Sequence, residues 1–266
     1  MKARDFRALA RQALSGRWGV AVLTGFLAAL LGGTMASSGS SGSGGSSVGS
    51  SAGEFIQSSG GHYEIPDFVW TALIIFGTLL SIYALVCFII GGTVQLGYAK
   101  FNLALIDHKD AQVSDLFSQF HRFGDGFLLS LLTAIFVTLW TLLLIIPGII
   151  AGYSYAMAPY ILYENPGMRP MAAIKASKEL MRGNKWRLFC LDLSFLGWEL
   201  LCTLPMLIGF SLVFAFTHSA DTVLVLPILL SIPLSAGFFF LHPYEEAAWA
   251  IFYRDITAAP SDTEEI

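Results

Sequence analysis

The sequence has 266 residues, of which 55% are hydrophobic and only 13% are charged, with a net charge of −4. Soluble domains carry about 25% charged residues, so a soluble protein of this composition could not cover its surface with polar groups. The mean hydropathy of +0.66 points instead to lipid as the solvent. Cys87, Cys190 and Cys202 lie in separate apolar runs without CxxC spacing, which argues against a disulfide framework or a zinc site.

Apolar runs long enough to cross a bilayer predict the membrane-spanning helices. A hydrocarbon core of about 30 Å needs about 20 helical residues. The fourth run is shorter than the others and follows the turn-forming pair Pro147-Gly148, so it could also be the end of the third. The runs are 18–36, 68–94, 127–146, 148–163, 188–216 and 222–241.

The positions of the fifteen Lys and Arg residues favour six spans over five. Basic residues are enriched in cytoplasmic loops. Six spans place all fifteen on one side, whereas five spans would put the basic residues between 169 and 187 on the outside. The sequence therefore predicts six crossings with both termini in the cytoplasm.

The first span resembles a cleaved signal peptide in its basic leader and its small-residue end. Its apolar run is longer than a typical h-region, so we expect an uncleaved anchor. Residues 37–66 are rich in Gly and Ser and contain no basic residue, which predicts a flexible external loop.

A pattern of amphipathic segment, glycine, aromatic residue and paired spans occurs three times. The first segment (1–17) has Arg4, Arg7 and Arg11 opposite an apolar face, and the third (164–187) has Lys175, Lys178 and Arg182 in the same relation. Such helices suit the membrane surface, with the apolar side in the acyl boundary and the basic side toward anionic headgroups.

The second segment (100–126) has an aromatic stripe rather than a basic face. Ser114 is its predicted N-cap, and Leu116, Phe117, Phe120 and Phe123 form the apolar side.

These elements predict a single all-α domain over 1–266, a polytopic membrane bundle of six transmembrane helices arranged as three hairpins. Each hairpin follows a cytoplasmic amphipathic segment, and the repeat could also be no more than the usual connectors of a multispan protein. The hairpins are 18–99, 127–163 and 188–243, followed by a cytoplasmic tail at 244–266.

Small residues at four-residue spacing predict two faces for close helix packing. One comprises Ala21, Gly25, Ala29 and Gly33, and the other comprises Gly148, Gly152 and Ala156. We expect packing within the chain, with a homodimer interface as the alternative.

Asp192 and Glu199 are the acidic residues that lie well inside a predicted span. They are seven residues apart, so they project from nearly the same helix face. A carboxylate at this depth is costly unless it is paired, hydrated or protonated. One interpretation is a proton or cation relay, and the other is a structural role in bonding to neighbouring helices.

No other residues form a recognisable reaction centre or metal site. The histidines lack metal-ligand spacing, and we expect His242, with Glu245 and Glu246, to be solvated on the cytoplasmic side. Nucleotide-binding and hydrolase motifs are not found in a suitable context. The sequence therefore predicts neither a cofactor nor an enzymatic activity.

Three stretches resemble a bacterial membrane family catalogued as domain of unknown function 975: ARQALSGRWG, KASKELMRGNKWRLFCLDLSFLGWELL and HPYEEAAWAIFYRDI. The architecture is more distantly similar to the membrane domain attached to some glycerophosphodiester phosphodiesterases, whose catalytic barrel this chain has no room for. The resemblance implies an integral protein of the bacterial plasma membrane and implies no reaction.

Two classes of function are consistent with these features. The first is a non-enzymatic scaffold or membrane-organising protein that contacts anionic headgroups. The second is a small-solute or proton-coupled transporter or channel that uses Asp192 and Glu199. Protein partners or a homo-oligomer fit either class, and nothing in the charge pattern suggests nucleic acid.

Overall fold

The computed structural model describes residues 2–33, 67–216 and 236–258, and all regular secondary structure in these ranges is helical. The predicted all-α fold is therefore confirmed. Two short 3₁₀ helices, Val113–Leu116 and Phe120–Arg122, precede α4. The α-helices are α1 (Ala3–Leu14), α2 (Trp18–Leu30), α3 (Asp67–Ile106), α4 (Phe123–Leu143), α5 (Ile145–Tyr155), α6 (Ala158–Glu164), α7 (Pro170–Leu180), α8 (Lys185–Phe216) and α9 (Ala236–Ala258).

Four helical stretches in these ranges are long and apolar enough to cross a membrane, and a fifth arises if α1 and α2, bent by 105°, form one broken span. The described ranges thus contain four or five candidate spans, which is compatible with a polytopic membrane protein and does not confirm the predicted six. The four stretches are Ile74–Ile106, Val113–Leu143, Ile145–Glu164 and Lys185–Gly209.

The first and sixth predicted spans are only partly visible. Helix α2 has 13 residues and is about 20 Å long, shorter than a bilayer core. The end of the first predicted span, the Gly/Ser-rich loop 37–66 and most of the sixth predicted span (222–241) lie outside the described residues.

The apolar side of α1 is covered by protein, which corrects its expected placement in the acyl boundary. Phe6, Ala10 and Leu14 are at most 1% exposed, because α1 packs on α9 and α8. The ring of Phe6 lies 5.6 Å from that of Phe252.

The apolar side of helix α7 is also covered by protein, although it was expected to face lipid. Ala173, Ile174 and Ser177 are buried against α4, α5 and α6, and the Ser177 hydroxyl donates to the Ser154 carbonyl at 2.9 Å. The side expected to face lipid is therefore used for packing within the bundle.

The first and third copies of the predicted repeat share a turn, and the second does not. Gly16 and Gly183 have φ of +80° and +83°, a conformation that favours glycine. Gly124 instead lies inside α4.

The predicted helix before α4 is also absent, and the two 3₁₀ helices occupy its place. Ser114 is not an N-cap; the Asp115 carboxylate accepts from the Gln112 backbone N–H at 3.0 Å instead. Lys100 of α3 holds Asp115 at 2.7 Å, and this tie to α3 favours a short turn over a free helix.

Three hydrogen bonds each join a residue just before a predicted hairpin to a residue near or beyond the end of that hairpin. The Arg17 guanidinium donates to the Lys109 carbonyl at 2.5 Å, that of Arg122 to the Leu162 carbonyl at 3.1 Å, and that of Arg187 to the Asp255 carboxylate at 2.5 Å.

Helix α9 continues through most of the segment predicted as the tail 244–266. Up to Ala258 this segment is helical, and Ala247, Ala248 and Phe252 are fully buried. The hydropathy pattern ends at Leu241 because charged residues follow it, but the helix and the core do not end there.

The small residues that are buried, and the position of the helix break next to the second face, differ from the prediction. In α2, Ala28 is fully buried whereas Ala29 is exposed, because a helix of 3.6 residues per turn drifts from a strict four-residue spacing. The break between α4 and α5 falls at Leu144 (φ −158°, ψ 139°) rather than at Pro147. Gly148 lies directly against Thr141 across this break.

At Gly97, helix α3 lies very close to the backbone of the first 3₁₀ helix. A Cβ at this position in α3 would overlap the Leu116 carbonyl, so we expect Gly97→Ala to lower the free energy of unfolding by about 2 kcal/mol. The thermal midpoint in detergent measures this loss. Gly197→Ala in α8 is the matched control, since its Cβ meets nothing within 4 Å and should be neutral or slightly stabilising. Equal midpoints for the two variants would contradict the packing.

Candidate functional site

Asp192 lies at the contact between α8 and α9. The Trp249 indole donates from Nε1 to Asp192 Oδ1 at 2.9 Å, and Tyr153 of α5 lies within hydrogen-bonding reach of the same carboxyl group. The Tyr153 ring packs edge-on against Phe189 at 6.0 Å. This predicted site residue is therefore held by polar groups from two other helices.

Glu199 lies two turns further along α8, about 10 Å from Asp192 along the helix axis. Its carbonyl accepts from the Thr203 hydroxyl at 2.7 Å, and its neighbours Trp198, Leu200 and Leu201 are 48–56% exposed. The two carboxylates share a helix face as predicted, but only Asp192 reaches polar partners on other helices within the described residues.

A second polar cluster lies on α9, where solvated residues were expected. Glu246 is 8% exposed, and Tyr160 of α6 lies within hydrogen-bonding reach of it. The His242 ring stacks on Tyr98 of α3 with centroids 6.2 Å apart. The expectation that His242, Glu245 and Glu246 are solvated is wrong, because α9 continues into the core.

A small cavity lies between this cluster and Trp249, the hydrogen-bond partner of Asp192. Its volume for water-sized spheres is about 10 Å³, and its lining includes Gln95, Tyr98, Tyr160, Glu246 and Trp249. This is room for about one water molecule, and the polar lining could hold it.

Helical spacing could have identified the cluster from the sequence. His242, Glu246, Trp249 and Tyr253 follow one another at intervals of three or four residues, which places them on one helix face. The span prediction stopped before this face because it weighed hydropathy alone.

Burial sets the protonation of two groups that lie beyond the apolar part of α9. Burial raises the pKa of Glu245 to about 8, and the charges of Asp192, Glu246 and Glu199 add to this rise. Burial also lowers the pKa of His242. Both side chains are therefore mainly neutral at neutral pH, so the cluster carries less charge than its composition suggests.

The end of α9 forms an ionic cluster with α3 and α6. Arg254 donates to the Asp107 carboxylate at 2.7 and 3.2 Å and to the Glu164 carboxylate at 2.5 Å, and the Tyr253 hydroxyl donates to Glu164 at 2.5 Å. Burial and this bond raise the pKa of Tyr253. Burial alone would lower the pKa of Arg254, but Asp107 and Glu164 raise it.

Most of the basic residues predicted to lie at the membrane surface have exposed side chains. Arg7 is half-buried, and its guanidinium donates to the Ser194 carbonyl at 3.2 Å. The other five side chains are exposed: Arg4, Arg11, Lys175, Lys178 and Arg182.

Among the described residues, no group of three or more His, Cys, Asp or Glu side chains is arranged to hold a metal ion. The three cysteines are free thiols. The chemistry of the site is thus that of carboxyl, phenol, imidazole and indole groups between packed helices.

Long apolar helices that enclose a mainly apolar core with a few buried polar groups are compatible with an all-α membrane protein. A family model described as "Protein of unknown function (DUF975)" matches residues 141–260. The resemblance predicted from the sequence is confirmed over this range, which holds Asp192, Glu199 and the α9 cluster. Comparisons with curated proteins and with solved structures gave no match. The similarity to the glycerophosphodiester phosphodiesterase membrane domain stays a prediction.

The raised pKa of Glu245 predicts that stability falls as pH rises. The folded protein binds this proton more tightly than the unfolded chain, whose ordinary value is 4.5. The contribution is complete below that value and is lost as pH rises toward about 8, on the order of 4 kcal/mol in all. Thermal midpoints measured across this interval should decline.

Glu245→Gln isolates the group responsible for this decline, because its amide does not titrate. We expect the variant to have a flatter pH profile than the wild type over the same interval. His242 works in the opposite direction, since its lowered pKa removes stability as pH falls. A Glu245→Gln profile that parallels the wild type would rule out Glu245 as the titrating group.

Proposed function

We propose that the protein is a non-enzymatic scaffold or membrane-organising protein of the bacterial plasma membrane. In this proposal it crosses the bilayer six times as three hairpins, keeps both termini in the cytoplasm, and contacts anionic headgroups through basic side chains next to the membrane.

The hydrogen bonds between hairpin ends support this topology. A helix pair that enters and leaves through the same face of the membrane brings its two ends together. Each bond joins a residue just before a hairpin to one near or beyond its end: Arg17 to Lys109, Arg122 to Leu162, and Arg187 to Asp255. Basic residues supply the donors, and Lys and Arg are enriched on the cytoplasmic side.

The exposed basic residues are the observation that carries the lipid-binding part of the proposal. Arg4 and Arg11 on α1, and Lys175, Lys178 and Arg182 on or just after α7, are exposed while the opposite sides of both helices pack on the bundle. Trp186, which follows α7, is 71% exposed, and tryptophan favours the membrane–water interface. Each such cation contributes about 1 kcal/mol at an anionic surface.

The interior favours a scaffold over a transport path. The Asp192 carboxylate is bonded to Trp249, and the cavity beside that tryptophan has room for about one water molecule. Packing of this kind suits a bundle that holds a fixed shape.

Removing the basic surface of α7 should weaken the association with anionic lipid. We expect the combined variant Lys175→Gln, Lys178→Gln and Arg182→Gln to lose about a hundredfold in its preference for phosphatidylglycerol over phosphatidylcholine, since three cations are removed. Spin-labelled lipids in proteoliposomes measure that preference, and added salt should reduce it for the wild type.

The matched control keeps the charge and changes the side chains, as Lys175→Arg with Lys178→Arg. Its lipid preference should equal that of the wild type. If the glutamine variant also keeps the wild-type preference while remaining folded, these residues do not bind anionic headgroups and the proposal fails.

The alternative is a proton-coupled transporter or channel, and one observation favours it. Asp192 on α8 and Glu245 on α9 are near enough for their charges to interact, and neither forms a salt bridge with a described residue. Unpaired acidic groups between membrane helices occur along proton paths.

Proton flux into proteoliposomes with an entrapped pH-sensitive dye separates the two functions. A scaffold predicts the same slow acidification for the wild type, for Glu199→Gln and for protein-free vesicles. A transporter predicts fast flux that Asp192→Asn or Glu199→Gln abolishes without loss of folded protein. Glu179→Gln, an exposed site on α7, is the control that should leave any such flux intact.

A further inference from the structure

A surface pocket lies where the start of α2 meets the end of α3 and the loop that follows it. Its volume is about 200 Å³, and its lining includes Arg17, Val20, Phe101, Leu105, Asp110 and Gln112. It is separate from the interior cavity beside Trp249 and from the exposed basic residues of α7.

The rim of this pocket carries both signs of charge. One terminal nitrogen of Arg17 donates to the Lys109 carbonyl, and the other guanidinium N–H groups have no hydrogen-bond partner among the described residues. Asp110 is exposed and forms no salt bridge in the described ranges. A cation and an anion on one rim suit a ligand that itself carries both charges.

The floor of the pocket is apolar and continues along α2. Phe101 and Leu105 are 1% exposed and form the base. Val20, Leu23 and Leu30 are 39%, 50% and 47% exposed, and their spacing places them along one side of α2. An apolar track thus leads from the charged rim toward the membrane interior.

We propose that this pocket binds the headgroup of a zwitterionic phospholipid with a primary ammonium, that is, a phosphatidylethanolamine. The Arg17 guanidinium contacts the phosphate, the Asp110 carboxylate contacts the ammonium, and an acyl chain follows the apolar track of α2. Guanidinium and phosphate form charge-assisted hydrogen bonds, and an ammonium with three N–H donors does the same with a carboxylate.

The charge pattern distinguishes this ligand from the anionic lipids of the proposed function. A phosphatidylglycerol has no cation to place against Asp110, so the carboxylate would repel it. A trimethylated headgroup keeps its charge but has no N–H to donate. The inference rests on the proposed membrane placement of this face, and it does not need lipid binding by α1 or α7.

The first test needs no variant. The full-length protein is placed in nanodiscs of phosphatidylcholine with a trace of phosphatidylethanolamine or its mono-, di- or trimethylated form, and bound lipid is counted by native mass spectrometry. We expect retention to fall with each methyl group, by about fivefold over the series. Equal retention across the series would overturn the proposal.

Two variants assign the charges. Asp110→Asn should abolish the preference for the primary ammonium and leave retention of phosphatidylglycerol unchanged or higher, whereas Arg17→Gln should lower retention of both lipids. Arg169→Gln, an exposed arginine before α7, is the control and should leave the preference as in the wild type. An Asp110→Asn protein that keeps the wild-type preference would also overturn the proposal.

The outcomes separate this inference from the proposed function. Loss of phosphatidylglycerol preference only in the α7 variants, with the methylation series flat, supports surface binding and rejects the pocket. A steep methylation series with no effect of the α7 variants supports the pocket and rejects the surface. Soluble glycerophosphoethanolamine that displaces the lipid at equal concentration would show that the α2 track contributes nothing, which contradicts the proposed acyl path.

Discussion

The constraint on which the bundle depends is that hydrocarbon gives helices no drive to associate. Close packing and polar contacts must do so instead. Helix α9 forms side-chain hydrogen bonds with α1, α8 and the ends of α3 and α6. Tyr244 donates to the Arg7 carbonyl of α1 at 3.0 Å, Trp249 to Asp192 of α8, and Arg254 to Asp107 and Glu164 at the ends of α3 and α6. Trp249 is buried, so losing its bond would leave a buried polar group unpaired. The Arg254 ion pairs are partly exposed, so losing one costs less.

This role explains why the ending HPYEEAAWAIFYRDI carried much of the family resemblance. Its small residues let α9 approach its neighbours, as at Ala247 and Ala248, which are fully buried. Its polar residues bond to several helices, among them α1, α6 and α8. These contacts constrain how the helices pack and do not by themselves indicate a reaction. The family matched over residues 141–260 has no known function, so function has to be argued from surfaces and cavities.

Much of the fold followed from hydropathy and spacing, and the misses have physical causes. Helix α8 and the start of α3 lie close to their predicted bounds because long apolar runs must be helical in lipid. The prediction of an amphipathic helix before α4 was wrong because this segment is held against α3 at Gly97 and Lys100. Local periodicity cannot show such a long-range contact. The α9 cluster was missed for the opposite reason: Glu245 and Glu246 interrupt the hydropathy pattern, although helical spacing runs through them.

At the candidate site, helical spacing predicts which side chains share a face, and packing determines which of them have partners on other helices. Asp192 and Glu199 were selected because a carboxylate inside a span is costly, and that argument treats both alike. Packing separates them: Asp192 meets Trp249, whereas Glu199 is surrounded by exposed apolar neighbours on its own helix. The Trp249 indole satisfies Asp192 Oδ1, whereas Oδ2 is buried without a hydrogen-bond partner in the described part of the chain, so the cost of burying this carboxyl group is only partly offset. The Glu199 carboxylate has no hydrogen-bond or salt-bridge partner among the described residues, so packing leaves neither of the two carboxyl groups fully compensated.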